Sequence, residues 1–269
     1  KWVYLYGCEK TGRGKVVSAL LLSDIHLEFG NGAENLISPP TDDVDLLIFA
    51  GDISCGTSAF SWMAEYANGR EVIYVAGNHE YYGHKFPDLI DEMREAANEH
   101  PNIHFLECDS YRHNGITYLG CTLWTDFALF GSLEWSLYEC RSLADFSKIK
   151  RDCYLLSPEY VREYHLKCRQ WLQSELERLK GERVAVVTHH LPLWDAVPDI
   201  YYRNPLTPAF ASDLRRIIDD YAPEYWFCGH THEKVDITYK NTRVMAKPMG
   251  YLFEANYPEG YEGLKIEGL

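Results

Sequence analysis

Val44-Asp45-Leu46-Leu47-Ile48-Phe49-Ala50-Gly51-Asp52 is the stretch that decides the fold. Its core is a near-continuous apolar run rather than an alternating one, which marks a strand covered on both faces. The run stops at Gly-Asp, so a carboxylate stands where the strand ends. The same sentence is written again on either side of it. Val16 to Leu22 ends at Ser23-Asp24-Ile25-His26, and Glu71-Val72-Ile73-Tyr74-Val75-Ala76 ends at Gly77-Asn78-His79-Glu80. Further on, Arg183-Val184-Ala185-Val186-Val187 leads to Thr188-His189-His190, and Glu224-Tyr225-Trp226-Phe227-Cys228 leads to Gly229-His230-Thr231-His232.

Helical stretches separate these strands. Residues 57–69 and 86–99 read as helices, the second with Phe86, Leu89, Ile90, Met93 and Ala97 at core spacing. Ser157-Pro158-Glu159 supplies an N-cap and a first-turn proline for a helix running to about Lys180, and Pro208 to Tyr221 is helical again. Strands alternating with helices imply crossover connections and a largely parallel sheet. Short strands are expected around Ile103 to Leu106 and Ile116 to Leu119, and an antiparallel hairpin over 235–239 and 242–246 about Asn241. The aromatic segment 124–156 reads as helices packed on the sheet edge, with a lid over the site as the lesser reading. Neither a repeat nor a low-complexity linker interrupts the chain. It is therefore expected to be one α/β domain over 1–269, with a core of about 15–250 and a peripheral segment 1–14 ending in Thr11-Gly12-Arg13-Gly14.

The bulk properties narrow the function classes. A formal charge of −14 on 269 residues repels nucleic-acid backbones and anionic membrane surfaces. Apolar residues at 46% and charged residues at 25% suit a folded, soluble chain. No apolar stretch reaches the length of a membrane span, and Lys1-Trp2-Val3-Tyr4 lacks a signal-peptide layout. The eight cysteines are dispersed, with no Cys-x-x-Cys pair, and read as buried free thiols of a reducing compartment, the cytoplasm.

Chemistry comes from the strand ends. Asp24 and His26 are two apart, so an extended chain shows both on one face, and His230 and His232 repeat that geometry. With Asp52, Asn78 and His189 they make seven oxygen and nitrogen donors, enough for two metal ions. The lack of sulfur among them favours Mn, Fe or Zn in a hydrolytic role over a structural thiolate zinc site. Hydrolysis of a phosphate ester at a two-metal site is the leading reading. Isolated histidines elsewhere, His84, His100, His104, His113 and His165, read as ordinary packing or surface residues. Glu80 reads as a stabiliser of its turn, and the pairs Tyr81-Tyr82 and Tyr201-Tyr202 as aromatic packing, with binding of a leaving group as the lesser reading.

Taken in order, Asp24-x-His26, Gly51-Asp52, Gly77-Asn78-His79-Glu80, His189 and Gly229-His230-x-His232 resemble the calcineurin-like metallophosphoesterase superfamily over about residues 17 to 250. That resemblance implies a four-layer α/β/β/α sandwich with two mixed sheets and the metals at their strand ends. It implies two divalent or trivalent ions, the first held by Asp24, His26 and His232, the second by Asn78, His189 and His230. Asp52 would bridge them at roughly 3.5–4 Å. A metal-bound hydroxide would attack phosphorus in line, Asn78 would also contact substrate, and His79 would protonate the leaving group. His190 is left to touch substrate, to order its neighbours, or to pack beside Pro192.

Gly51-Asp52-Ile53-Ser54-Cys55-Gly56 lacks the second Asp and the Arg that protein serine/threonine phosphatases of the superfamily carry there. The tail Thr242-Arg243-Val244 with Pro248-Met249-Gly250-Tyr251 looks more like its small bacterial phosphoesterases. The expected substrate is a small-molecule phosphate ester, a phosphodiester ahead of a phosphomonoester because His79 can protonate a poor leaving group. A nuclease, and a catalytically silent scaffold that binds proteins, are the alternatives.

Overall fold

The computed structural model describes residues 18–30, 32–202, 204–254, 257–258 and 260–269. The expected peripheral segment 1–14 lies outside them. The five apolar runs become strands where the pattern places them, with boundaries that differ by two residues at most among the described residues. In chain order the first elements are β1 (Ser18–Leu22), β2 (Leu46–Ala50), α1 (Ala59–Ala67), β3 (Glu71–Val75), α2 (Leu89–Asn98) and β4 (Ile103–Phe105). After β5 (Asp109–His113) and β6 (Ile116–Cys121) come α3 (Leu133–Cys140), α4 (Asp145–Lys148) and the short hairpin β7 (Lys150–Arg151) and β8 (Tyr154–Leu155). The remainder is α5 (Pro158–Arg178), β9 (Arg183–Thr188), α6 (Arg215–Tyr221), β10 (Tyr225–Cys228), β11 (Val235–Tyr239), β12 (Thr242–Ala246) and β13 (Leu264–Glu267).

Two large mixed sheets result. One has the order β13-β1-β2-β3-β4, the other β11-β12-β10-β9-β6-β5. Within each, the central strands run parallel, and antiparallel pairs occur only at the edges: β13 on β1, β11 on β12, and β5 on β6. Alternation along each strand then sorts side chains into layers. Ala19, Leu21, Leu46, Ile48, Ala50, Ile73 and Val75 of the first sheet face Tyr118, Ala185, Val187, Phe227 and Met245 of the second. The opposite set on the first sheet, Leu20, Leu22, Leu47, Phe49, Val72 and Tyr74, packs against Phe60 and Met63 of α1 and Leu89, Ile90 and Met93 of α2. On the second sheet Leu119, Val184, Val186, Trp226 and Val244 meet Cys168, Leu172 and Leu176 of α5 and Ile217 and Ile218 of α6. These layers form the four-layer α/β/β/α sandwich, and the parallel central strands aim their C-terminal ends at one edge of it.

Several boundaries differ from the sequence reading for physical reasons. Phe86 precedes a proline, which disfavours helical backbone, and its N–H is bonded to the Lys150 carbonyl at 2.8 Å, so α2 starts only at Leu89. The helix expected over 208–221 shrinks to α6, because Phe210, Ser212 and Leu214 pair through their backbones with Leu191 and Pro192 at 2.8–3.1 Å. The strand β5 is polar and lies at a sheet edge, so its apolar signal was faint. Its turn was nevertheless written in Asn114-Gly115, both at positive φ (48° and 84°), the requirement of a two-residue hairpin. Strand β13, beyond the expected core limit of 250, closes the first sheet's edge against β1. The segment 124–156 packs Phe127, Phe146 and Ile149 into the first sheet's outer core, and its residues 143–145 border the cavity described below.

Candidate metal centre

Each motif residue leaves its strand through a sharp backbone turn. Asp24, His26, Asp52, His230 and His232 all adopt left-handed backbone, with φ of 53°, 56°, 55°, 75° and 53°. Such a conformation is costly for a residue with a Cβ and persists where the surroundings over-determine it. Gly51 shares it at φ 87°, and a Cβ there would stand 2.7 Å from the Gly77 nitrogen, so no other residue fits between the two strand ends. Glu80, fully buried, ties the turns together: its carboxylate accepts from the N–H groups of Asp52, Ile53 and Gly77 at 2.7–3.1 Å and from the Tyr74 hydroxyl at 2.8 Å. Burial and the neighbouring Asp52 push it up to about 7.

The seven expected ligands converge in two groups. Asp24, His26 and His232 form one, and Asp52, His189 and His230 the other, each with donor atoms within 4.8 Å of one another. Asn78 joins the second through Oδ1, 3.2 Å from His189 Nε2. Asp52 Oδ2 stands between them, 3.3 Å from His189 Nε2 and 3.9 Å from His26 Nε2. Its other oxygen accepts the His79 N–H at 2.9 Å, and the Asp24 carboxylate accepts the His230 N–H at 2.9 Å.

The outer nitrogens are committed, which decides what the inner ones can do. His189 Nδ1 donates to the Ala50 carbonyl at 2.8 Å, His232 Nδ1 to Glu254 at 2.9 Å, and His26 Nδ1 to Glu28 at 3.0 Å. With Nδ1 so bonded, each of these rings turns its Nε2 inward. His26 Nε2 and His232 Nε2 therefore face each other at 3.1 Å, and His189 Nε2 faces His230 Nδ1 at 3.1 Å beside the Asn78 and Asp52 oxygens. Hard nitrogen and oxygen donors gathered in so buried a place suit divalent cations. Burial lowers His189, but the adjacent Asp52 carboxylate more than offsets this and pushes it up to about 10. Burial beside other histidines holds His230 and His190 well below the usual imidazole range.

His79 lies at the side of these groups without joining the ligand pairs. Its Nδ1 is 2.8 Å from Glu28 Oε1 and its Nε2 is 2.9 Å from the Tyr251 hydroxyl, with the ring resting on Tyr82 at 4.1 Å. Burial lowers its affinity for protons, while Asp52 and Glu28 raise it, with a net upward shift. His190 is 1% exposed and bonds the Thr122 carbonyl at 3.3 Å. Its ring lies 5.1 Å from Trp124 and 4.3 Å from His230. It is not among the residues that line the cavity over these groups. The Asn78 amide nitrogen donates to Asp145 at 2.8 Å and to Tyr82 at 3.3 Å. Contact between that amide and a substrate requires the longer of these bonds to open.

A cavity of about 290 Å³ opens over Asp52, Asn78, His79, His230 and His232. Its walls include Tyr82, Leu143, Tyr201, Phe210 and Tyr251 along with Asp145 and Glu254, and no Lys or Arg among the described residues lines it. Four contributors escaped the sequence reading: Glu28, Asp145, Tyr251 and Glu254. Glu28, two residues beyond His26, lies in a short 3-10 turn, Leu27–Phe29, so strand alternation did not mark it. Asp145 and Glu254 carry no local signal.

Comparison with known proteins agrees with this architecture. A phosphopantetheinyl hydrolase, PptH, from Mycobacterium tuberculosis superposes with a TM-score of 0.70 at 19% identity, covering 88% of this chain and 91% of its own. A dimetal phosphatase from Danio rerio gives a TM-score of 0.51 at 14% identity over 86% and 87%. In sequence, Uncharacterized protein L509 of Acanthamoeba polyphaga mimivirus is 26% identical over 276 residues, 92% of this chain and 96% of that one. Residues 18–234, which carry all five motifs, match the model of the calcineurin-like phosphoesterase family, and the chain belongs to that family.

Proposed function

We propose that the protein hydrolyses a small phosphate ester at a binuclear metal centre held by Asp24, His26, Asp52, Asn78, His189, His230 and His232, and that it prefers a phosphodiester to a phosphomonoester. The observation that carries this reading is the convergence of two histidine pairs, each with ring nitrogens 3.1 Å apart, on the carboxylate of Asp52. Two ions such as Mn, Fe or Zn would supply Lewis-acid polarisation of the phosphate and a nucleophilic water at neutral pH.

The chain's own residues do the rest. Asp52 reaches both ligand groups, Ala50, Glu28 and Glu254 fix the rings, and Asp145 holds the Asn78 amide so that Oδ1 points inward. His79 donates the proton to the departing alkoxide, and Glu28 on its other nitrogen holds the ring in place. Tyr251 covers His79 Nε2 and must yield that position to the leaving oxygen. Diester preference follows from charge. A diester brings one negative charge and a monoester close to two. The cavity answers with Asp145 and Glu254 and with no described Lys or Arg. Aromatic walls suit an apolar or flat leaving group.

Turnover of bis-p-nitrophenyl phosphate by Mn-loaded protein should exceed that of p-nitrophenyl phosphate, and a reversed ratio would sink the diester preference. Replacing His79 by Ala should leave two metals bound and cut turnover by about 10²–10⁴-fold. An unchanged rate would remove His79 from the acid role. Phosphopantetheinyl esters belong on the substrate panel because of the enzyme this fold matches. A metal-loaded protein inert to every ester would favour a silent scaffold, and cleavage confined to oligonucleotides would favour a nuclease.

A further inference from the structure

A second convergence of donors lies away from the metal centre, between the outer face of the second sheet and α5. Cys121 ends β6 and Cys168 lies on the inward face of α5, both fully buried, while Cys108 is half-buried in the connection from β4 to β5. Cys108 Sγ is 3.6 Å from Cys168 Sγ, and these two thiols and a Glu107 oxygen lie within 4.8 Å of one another, with the Cys121 thiol adjoining both sulfurs but outside that group. Cys108 holds left-handed backbone at φ 51°, unfavourable for a residue with a side chain.

Glu107 completes the group at 1% exposure. Its Oε2 accepts from the N–H and hydroxyl of Thr122 at 2.8 and 2.7 Å. Its Oε1 is turned to the thiols, 3.9 Å from Cys168 Sγ, with the Tyr164 hydroxyl donating at 3.2 Å. Among the described residues no Lys, Arg or His forms an ion pair with it. A buried carboxylate beside three thiols is costly unless a proton or a cation compensates it.

The spacing separates a metal site from a disulfide. Zn–S bonds of about 2.3 Å in a tetrahedron set two sulfurs about 3.8 Å apart. The observed 3.6 Å is close to that edge, and far from the bond length of about 2.05 Å in a disulfide. A disulfide would also leave the third thiol and the carboxylate unused. Thr122 and Tyr164 stand where hydrogen bonds orient a ligating carboxylate.

We propose that Cys108, Cys121, Cys168 and Glu107 form a sulfur-rich site for a thiophilic divalent cation of the zinc class, separate from the nitrogen and oxygen centre. Cys108, Cys168 and Glu107 already converge, and a shift of the adjoining Cys121 thiol closes a four-ligand shell, which makes the site structural. It ties the β4–β5 connection and β6 to α5, and ion uptake past half-buried Cys108 releases the thiol protons to solvent.

Cobalt titration of reduced, metal-free protein tests this, because the other centre has no sulfur and cannot give sulfur-to-cobalt charge transfer. The expected result is such a band saturating at one equivalent, bleached by Zn²⁺, with three thiols becoming slow toward a chromogenic disulfide reagent. Cys108→Ser and Cys168→Ser should each lose the band while keeping the far-ultraviolet circular dichroism of the parent. Should the buried Cys168→Ser chain fail to fold, Cys108→Ser carries the comparison. Absence of the band, its survival in Cys108→Ser, or a reductant-reversible loss of two thiols in the protein as isolated, which would mark a disulfide, would overturn the assignment.

Discussion

At the scale of single residues, the metal centre is set by what holds each ligand from behind. Glu28 shows this best, since one oxygen, Oε1, meets both His26 Nδ1 and His79 Nδ1 at 3.0 and 2.8 Å. Removing the charge while keeping the shape, as in Glu28→Gln, should cost about 10–100-fold in turnover with the fold retained. Activity equal to the parent would show that neither ring depends on Glu28. His26 and His79 were legible in the sequence because each adjoins a strand end. Their shared partner was not singled out, since nothing about a glutamate two residues past a histidine says which way it turns. Asp145 and Glu254 were beyond sequence reasoning altogether. They reach Asn78 and His232 from far along the chain, and only folding brings them there.

At the scale of elements, strands whose both faces are covered make the site rigid. Ile48 of β2 is fully buried between the two sheets, two residues before the turn that carries Asp52. Ile48→Ala should cost about 2–5 kcal/mol in urea unfolding, mostly through the cavity left in a layer that cannot collapse. A loss below 1 kcal/mol would mean that the layers repack, contrary to a stiff support. The elements easiest to find were those with long apolar runs. Harder were β5, polar on an edge, β13, four residues long, and the segment 210–214, whose helical composition is overridden by backbone pairing with Leu191 and Pro192.

At the scale of the whole molecule, parallel central strands from two sheets end at one edge of the sandwich and bring five separated motifs within bonding distance. The seven proposed ligands link segments from Asp24 to His232, so metal bound there would be thermodynamically coupled to the fold. At 100 times the dissociation constant, bound metal should add about 2.7 kcal/mol of stability. Chelation should therefore lower the melting temperature, and a melting temperature unchanged by chelation and reloading would argue that these residues hold no ion. The sequence by itself determined the layered α/β fold, the order of the strands that bear ligands, and the nitrogen and oxygen character of the centre. It could do so because strand burial and metal chemistry are written locally, in runs of apolar residues and in the motifs that end them. The tertiary structure alone decided that His190 packs against Trp124 and His230, that Asp145, Tyr251 and Glu254 shape the cavity, and that Cys108 and Cys168, sixty residues apart, meet beside Glu107. Those facts depend on which distant segments share a layer, and contacts between layers leave no periodic trace in the chain.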